Sequence, residues 1–334
     1  VEKIVLALAA ILAFTSCEKN PPVELPKESI ITGLISEDVT WYSDTIYEMA
    51  GKVVVGEGAT LTIQPGTLIK ARDGQGSLST ALIVAQGSKI EAVGTAENPI
   101  IFTSIYDTGA NLDESDMGLW GGIVVLGYAP ISADATPAQI EGIPVNETFG
   151  AYGGTDIHNN SGILKYVSIR HAGTLLGGGN ELNGLTLGGI GSGTVIDHIE
   201  VVGNLDDGIE FFGGTVNASN LLVWAQGDDA FDVDQGWEGT VTNYVAIEGV
   251  DSDHALELDG GEGNLNPAFI LEEGTFISTD GVECHFRDGA NGFVSFTGLT
   301  NVSADSATSV MVDTTMGADL TVFDWTMASE RGAL

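Results

Sequence analysis

The sequence predicts an all-β chain wound as a single-stranded, right-handed parallel β-helix with capped ends. Three observations predict it. First, one short phrase keeps returning: Asn183-Gly-Leu-Thr-Leu, Asp207-Gly-Ile-Glu-Phe, Asp229-Ala-Phe-Asp-Val, His254-Ala-Leu-Glu-Leu and Asp280-Gly-Val-Glu-Cys. Its starts lie 24, 22, 25 and 26 residues apart, and a period in this range marks a solenoid in which each repeat is one coil. Second, each phrase runs polar, small, apolar, polar or acidic, apolar, which is a short strand turning alternate side chains to a core. Third, these Val/Ile-rich strands are joined by Gly, Asn and Asp turns. The 46 glycines against 9 prolines suit a turn-dense β protein. A leucine-rich repeat would show Leu-x-x-Leu-x-Leu, an Asn ladder and a helical return, and neither feature is present.

Residues 1–17 read as a targeting signal. Residues 4–14 form an unbroken apolar run of eleven, too short to span a bilayer, and Thr15-Ser16-Cys17 follows. Small residues before a Cys at the end of such a run resemble a bacterial lipoprotein signal, which would leave Cys17 as an acylated N-terminus. Phe14 stands where Leu is more usual, and an ordinary secretory signal is the competing reading. Residues 18–29 are polar, hold three of the nine prolines and read as an extended tether. The β-helix is expected over residues 30–334.

Residues 30–50 are expected to cover the open end of the first coil, using Trp41, Tyr42 and Tyr47. The run from Lys52 to Lys70 is strand, tight turn, strand, tight turn, strand, with Pro65-Gly66 at a corner. Ala81-Leu-Ile-Val, Lys89-Ile-Glu-Ala and Pro99-Ile-Ile-Phe-Thr-Ser continue it. Residues 107–117 form an acidic loop before the buried strand at Trp120-Gly-Gly-Ile-Val-Val-Leu-Gly. Residues 129–160 lack clear periodicity, and an insertion of that length on a solenoid is usually functional or a surface elaboration. Leu164 to His171 resumes the ladder, and the apolar strand Thr321-Val-Phe-Asp-Trp325 is expected to close the far end.

The formal charge is −36, from 47 acids against 11 bases. This excludes nucleic acid as a partner, because phosphate contacts need clustered Lys and Arg. It also argues against adsorption on an anionic membrane surface. Cations, neutral glycans and basic proteins are the partners such a surface suits, and solubility in salty surroundings is its plainest meaning. Cys284 falls at an inward strand position and reads as a core thiol.

Stacked coils stack their polar positions. One column is expected to hold Thr186, Glu210, Asp232, Glu257 and Glu283. A second, two residues on, holds Phe212, Asp234, Asp259 and His285. The turns add Asp206 and Asp207, Asp228 and Asp229, Asp251, Asp253 with His254, and Asp280. Neighbouring parallel strands lie about 4.8 Å apart, so uncompensated carboxylates at that spacing raise one another's pKa. Between residues 204 and 288 there are 19 acids and one Arg or Lys, Arg287. Clustered carboxylates and turn carbonyls are the ligands Ca²⁺ prefers. Asp207, Glu210, Asp229, Asp232, Asp234, Glu257 and Asp259 are therefore candidate Ca²⁺ ligands, weighed against a merely solvated acidic face. The spacing is neither that of an EF-hand nor that of the nonapeptide Ca²⁺ repeat. Among the aromatics near these turns, Phe211 and Phe231 alternate inward. Trp237, between Gly236 and Glu238, is the candidate exposed ring for stacking on sugar, with Trp224 beside it.

The runs Gly56-Glu-Gly-Ala-Thr-Leu-Thr-Ile-Gln-Pro-Gly66, Gly94-Thr-Ala-Glu-Asn-Pro-Ile-Ile-Phe-Thr-Ser104, Trp120-Gly-Gly122, Asn180-Glu-Leu-Asn-Gly-Leu-Thr-Leu187, Asp206-Asp-Gly-Ile-Glu-Phe-Phe-Gly-Gly-Thr-Val216 and Asp228-Asp-Ala-Phe-Asp-Val-Asp-Gln-Gly-Trp237 resemble the secreted β-helix lipoproteins of Bacteroidota and related marine bacteria. The resemblance covers roughly residues 53–325. It implies an envelope or extracellular β-helix and brings no catalytic residues. The reading is then a lipid-anchored, outer-membrane binding or adhesion module for a glycan or surface protein, with Ca²⁺ as its candidate stabiliser. One alternative is a polysaccharide lyase with Arg287, Lys165, Arg170 or His171 as base, or a glycoside hydrolase using two carboxylates such as Asp232 and Glu257. The other is a structural surface scaffold that associates end to end.

Overall fold

The computed structural model describes residues 26–133, 135–144, 147–174, 182–263, 265–279, 281–298 and 300–334. The repeat phrases at Leu185–Gly188, Ile209–Phe212, Phe231–Asp234 and His254–Leu258 are consecutive parallel neighbours in one sheet. Above them in the same sheet stand Gly122–Leu126, Ala81–Val84 and residues 52–55; below them stand Val282–Phe286 and Thr300–Ala304. Every pairing within this 22-stranded system is parallel. The chain is a right-handed parallel β-helix, as parallel crossovers require almost without exception.

Each coil has three faces. The repeat phrases make one. The other two are shared by long strands: Gly162–Arg170, Val195–Val202, Ala218–Trp224, Thr240–Ile247 and Phe269–Ile277. Each long strand bends where one residue takes a positive φ: Tyr166 (51°), His198 (56°), Asn220 (56°), Asn243 (61°) and Glu273 (63°). The ladder skips those residues in step, so the corner stacks on itself. A left-handed non-glycine residue costs roughly 1–2 kcal/mol. Local hydrogen bonding offsets part of that: Asn243 Nδ2 donates to Asn220 Oδ1 (2.7 Å), and Asn220 Nδ2 donates to Asp197 Oδ1 (2.8 Å).

The interior is one continuous apolar column from Trp41 to Phe296, including Phe211, Phe231 and Cys284 as expected. Burial holds the Cys284 thiol far above its ordinary pKa. Two terminal expectations need correction. Residues 30–50 do not lie over the first coil; they are the first coil. The strand Lys27–Ile35 begins three residues before the expected folded start and pairs in parallel with Thr45–Val55. Trp41 and Tyr47 stack inside it with ring centroids 5.0 Å apart, and only Tyr42 stays exposed. The segment at Thr321 is not a closing strand. Leu320–Phe323 is a 3-10 turn and Met327–Glu330 a single helical turn. Phe323, Met327 and Ala328 bury themselves on the side of the solenoid against Leu222, Trp224 and Ile247.

The insertion over residues 129–160 also lies on the outside. It carries a two-residue antiparallel pairing, Ala138–Gln139 with Ala151–Tyr152. Its Ile131, Ile140, Ile143 and Tyr152 pack on the outward-facing Val54, Ile83 and Val124 of the repeat-phrase sheet, forming a second apolar core. Among the described residues, no helix is long and apolar enough to cross a membrane. Cys17 and Asp280 lie outside the described residues.

Candidate functional site

The outward column on the repeat-phrase face changes chemistry part-way along. In register it reads Val54, Ile83, Val124, Thr186, Glu210, Asp232, Glu257, His285, Ser303. The expected stack of Thr186, Glu210, Asp232 and Glu257 is therefore real. Its last member is not Glu283. A bulge between His254 and Leu256 sets Glu283 opposite His254 and His285 opposite Glu257. The second column is corrected likewise: Phe212 pairs with Asp234 and Asp259 follows, but His285 belongs to the first column.

The turn aspartates form a ladder of their own. Asp207 Oδ1 accepts from the Asp229 amide at 3.0 Å. Asp229 Oδ1 in turn accepts from the His254 amide at 3.1 Å and from His254 Nδ1 at 2.7 Å. A carboxylate at each turn thus holds the backbone N–H of the next coil, which explains why Asp recurs there.

Charge compensation divides the site in two. At the Glu257 end the chain supplies cations. Arg287 Nη2 donates to both Glu257 oxygens, at 2.6 and 2.7 Å. His285 Nδ1 lies 3.7 Å from Glu257, and its Nε2 lies 3.3 Å from Asp305. The hydrogen bond to Asp229 pushes His254 up to about 9, so it is an imidazolium at neutral pH. His254 and His285 sit within the acidic cluster, and the reading of its carboxylates as uncompensated fails here.

At the other end it holds. One oxygen each of Asp207, Glu210 and Asp232 lie within 4.8 Å of one another. Burial, reinforced by the neighbouring carboxylates, pushes all three pKa values well up. Asp207 and Glu210 are each 7% exposed; Asp232 keeps an accessible edge, but its Oδ1 is sealed from solvent. Besides the Asp229 amide on Asp207 Oδ1, the Asn183 side-chain amide donates to Glu210 Oε2 and, at 3.2 Å, to Thr186 Oγ1. Among the described residues no hydrogen-bond donor meets the buried Asn183 Oδ1, Asp232 Oδ1 or Asn204 Oδ1; the Asn204 amide nitrogen donates to the Asp207 carbonyl at 2.6 Å. Buried acceptors without donors are rare in folded proteins, and a bound cation would satisfy them.

Two further sets of ligand atoms come together, Asp206/Asp207/Asp228 and Asp229/His254/Glu257. Five of the seven predicted ligands, Asp207, Glu210, Asp229, Asp232 and Glu257, thus fall in such groups, and Asp234 and Asp259 fall outside them. Burial raises the pKa of Asp234, and that of Asp259 to about 6. The sequence reading missed Asn183 and Asn204. Their signal was available: each is an Asn three residues before a polar or acidic member of the site.

The aromatic reading is overturned. Trp237 is fully buried, packed at a tilt against Phe211 with centroids 4.5 Å apart, and its Nε1 donates to the Val216 carbonyl. Phe212 and Tyr244 are buried too. Trp224 shows 7% of its surface, at the margin of a 680 Å³ cleft that it shares with Glu114, Glu248, Asp253 and Glu283.

A family model for the pectate-lyase-like β-helix domain matches residues 33–285. The chain belongs to that family. No curated protein and no solved structure matches it. The family match spans all three carboxylate groups and most of the sheet that carries them. Membership fixes the scaffold; what the site does has to be argued from the groups on it.

Proposed function

We propose that this β-helix is a non-enzymatic binding module of the bacterial cell envelope, anchored through a lipid on Cys17, stabilised by Ca²⁺ and directed at a glycan or a surface protein. The observation that carries the metal part is the buried trio Asp207, Glu210 and Asp232, with orphaned acceptors on Asn183 and Asp232 beside it. Oxygen donors of this kind fit a hard divalent cation. Bound there, Ca²⁺ neutralises charge that the chain leaves unpaired. Asp229 and Glu257 already hold His254 and Arg287, so they contribute less than their position in the column suggests.

The non-enzymatic part is supported by the state of the four candidate bases. Arg287 is fastened to Glu257 and Lys165 to Asp197, at 2.7 Å. Arg170 Nε donates to Ser168 Oγ, and its Nη2 lies 3.7 Å from the fully buried Glu200. His171 is buried, with Nδ1 against the Asp116 carbonyl at 2.7 Å. A base that removes a sugar C–H proton needs free access to substrate, and each of these groups is already committed.

Calorimetric titration of chelator-treated protein with Ca²⁺ tests the metal: heat and a raised melting temperature are expected, and the absence of both refutes it. A glycan array paired with an assay for unsaturated products tests the rest. Retention without cleavage is expected, and release of unsaturated oligosaccharide establishes the lyase instead.

A further inference from the structure

A cleft of about 710 Å³ opens where the insertion meets the first coils, well inside the range of small-molecule sites, roughly 300–1,000 Å³. Its floor continues the outward column at Val54 and Ala85. Phe149, from the insertion, and Leu34, on the first strand, also line it. Leu34 stands 67% exposed and Tyr128 37%. The insertion is pinned: Gln86 Nε2 donates to the carbonyls of Gly127 (2.7 Å) and Gly153 (3.0 Å). Glu57 and Tyr128 converge above Gly87. A Cβ placed on that glycine would lie 2.9 Å from Glu57 Cγ and 3.2 Å from the Tyr128 hydroxyl.

The rim carries Lys52, Glu57 and Glu147. Two carboxylates and one ammonium make this cleft close to balanced on a chain of charge −36. Lys52 is half-buried, and desolvation lowers its pKa while Glu147 opposes that shift. The place is poorly suited to a polyanion, which the whole protein repels, and it lacks the concentrated acid that holds a polycation. Apolar lining at Leu34, Val54 and Ala85, aromatic rings at Tyr128 and Phe149 and spaced donors and acceptors match a ring that has one C–H face and a rim of hydroxyls.

We propose that this cleft binds a neutral oligosaccharide, one sugar ring lying against Tyr128 and Phe149 with its hydroxyls bonded to Glu57 and Glu147. The assignment rests on reading the protein as a binding module, and it moves the glycan from the buried Trp237 to the edge of the insertion.

The full chain is titrated calorimetrically with neutral gluco-, manno- and galacto-oligosaccharides of increasing length, and with matched uronate oligomers, with and without chelator. A neutral oligomer is expected to bind in both conditions. Tyr128→Ala and Glu57→Gln should each weaken it at least tenfold without moving the melting temperature, and Tyr128→Phe should restore most of the loss at Tyr128. The proposal is overturned if no neutral oligomer binds, if only uronates bind, or if the Tyr128→Ala/Glu57→Gln double variant binds undiminished. In the last case the binding-module reading survives and only the cleft assignment falls. If no glycan of any kind binds, the glycan arm of the proposed function falls with it.

Discussion

Replacing Asp232 by Asn tests the electrostatics of the buried trio most directly. Two unit charges 4.8 Å apart, the outer limit of the ligand-atom spacing, repel by about 3.5 kcal/mol at an effective dielectric constant of 20. That is about 2.5 pKa units per pair, before the cost of burial. Without a cation the three groups therefore cannot all be ionised at neutral pH, and at least one proton stays. Asp232→Asn removes the member that faces Glu210 and stands in register with Glu257. Because the wild-type trio already relieves itself by protonation, the gain is a fraction of the pair energy, about 1–3 kcal/mol. At the few degrees per kcal/mol expected of a large domain, the melting temperature in chelator should rise by roughly 2–6 °C. Ca²⁺ should do the reverse across the pair. At a hundredfold excess over its dissociation constant it stabilises the wild type by about 2.7 kcal/mol, and the variant little.

The same argument fixes the pH dependence. Acids whose folded pKa is raised hold protons that the unfolded chain has already lost, so stability falls as pH rises. Burial moves Asp229 and Asp259 to about 6 and Glu248 to about 7. The fall should therefore run from about pH 4 to pH 7 in the metal-free protein. His254 adds to it: its folded pKa is raised to about 9, so its contribution is complete below the unfolded value and fades as pH climbs through 9. Melting curves from pH 4.5 to 8.5 in chelator check the slope, and Ca²⁺ should flatten it. Ion binding should also release about one proton, seen as a binding heat that changes with buffer ionisation enthalpy. The reasoning is refuted if Asp232→Asn lowers the melting temperature in chelator and still responds to Ca²⁺, or if the binding heat is independent of buffer.

Arg287→Gln strips Glu257 of its two short hydrogen bonds. The guanidinium is about half exposed, so the loss in urea unfolding should be about 1–2 kcal/mol, below the roughly 3–5 kcal/mol typical of fully buried pairs. Trp237→Ala opens a cavity beside Phe211 and should cost about 3–5 kcal/mol, read from chemical denaturation; a change smaller than 1 kcal/mol refutes its core placement. Cys284 should resist thiol reagents in the native state and react on unfolding, and native labelling at a rate near that of free thiol contradicts its burial.

The fold was legible because two signals reinforce each other. Alternation told inward from outward at Leu185, Ile209, Phe231 and Leu256, and the polar turns marked each coil's start. The failure at Glu283 has a specific cause. Leu256, Glu257 and Leu258 pair with Cys284, His285 and Phe286, 28 residues on, two more than the 26 that separate the repeat phrases, so the connection between these strands is two residues longer than the phrases suggest. A slip of one would have reversed every side chain and shown in the alternation, but a slip of two keeps each on its own face. Cys284 is therefore inward in either register, and the sequence carries no trace of the exchange of Glu283 for His285. Trp237 was misread because glycines around it suggested an exposed turn. Gly239 instead makes room for the ring: a Cβ there would lie 2.4 Å from Trp237 Cζ2.

The least legible feature is the change of chemistry along a single column. Val54, Ile83 and Val124 face outward, yet they are apolar because the insertion over residues 129–160 covers them. No periodicity announced that cover, since Ile131, Ile140 and Ile143 follow neither strand nor helix spacing. Beyond Thr186 the same outward position turns acidic while burial persists: Glu210 is as hidden as Ile131, each 7% exposed. An apolar lid explains the first half of the column and cannot explain the second, because carboxylates gain nothing from an apolar cover. What they require is a positive partner. At Glu257 the chain provides it in Arg287; at Asp207, Glu210 and Asp232 the donors among the described residues are neutral amides, the Asp229 N–H and the Asn183 side chain. The boundary at Thr186 thus divides a face covered by the protein's own apolar side chains from one that buries carboxylates, where we propose the cation.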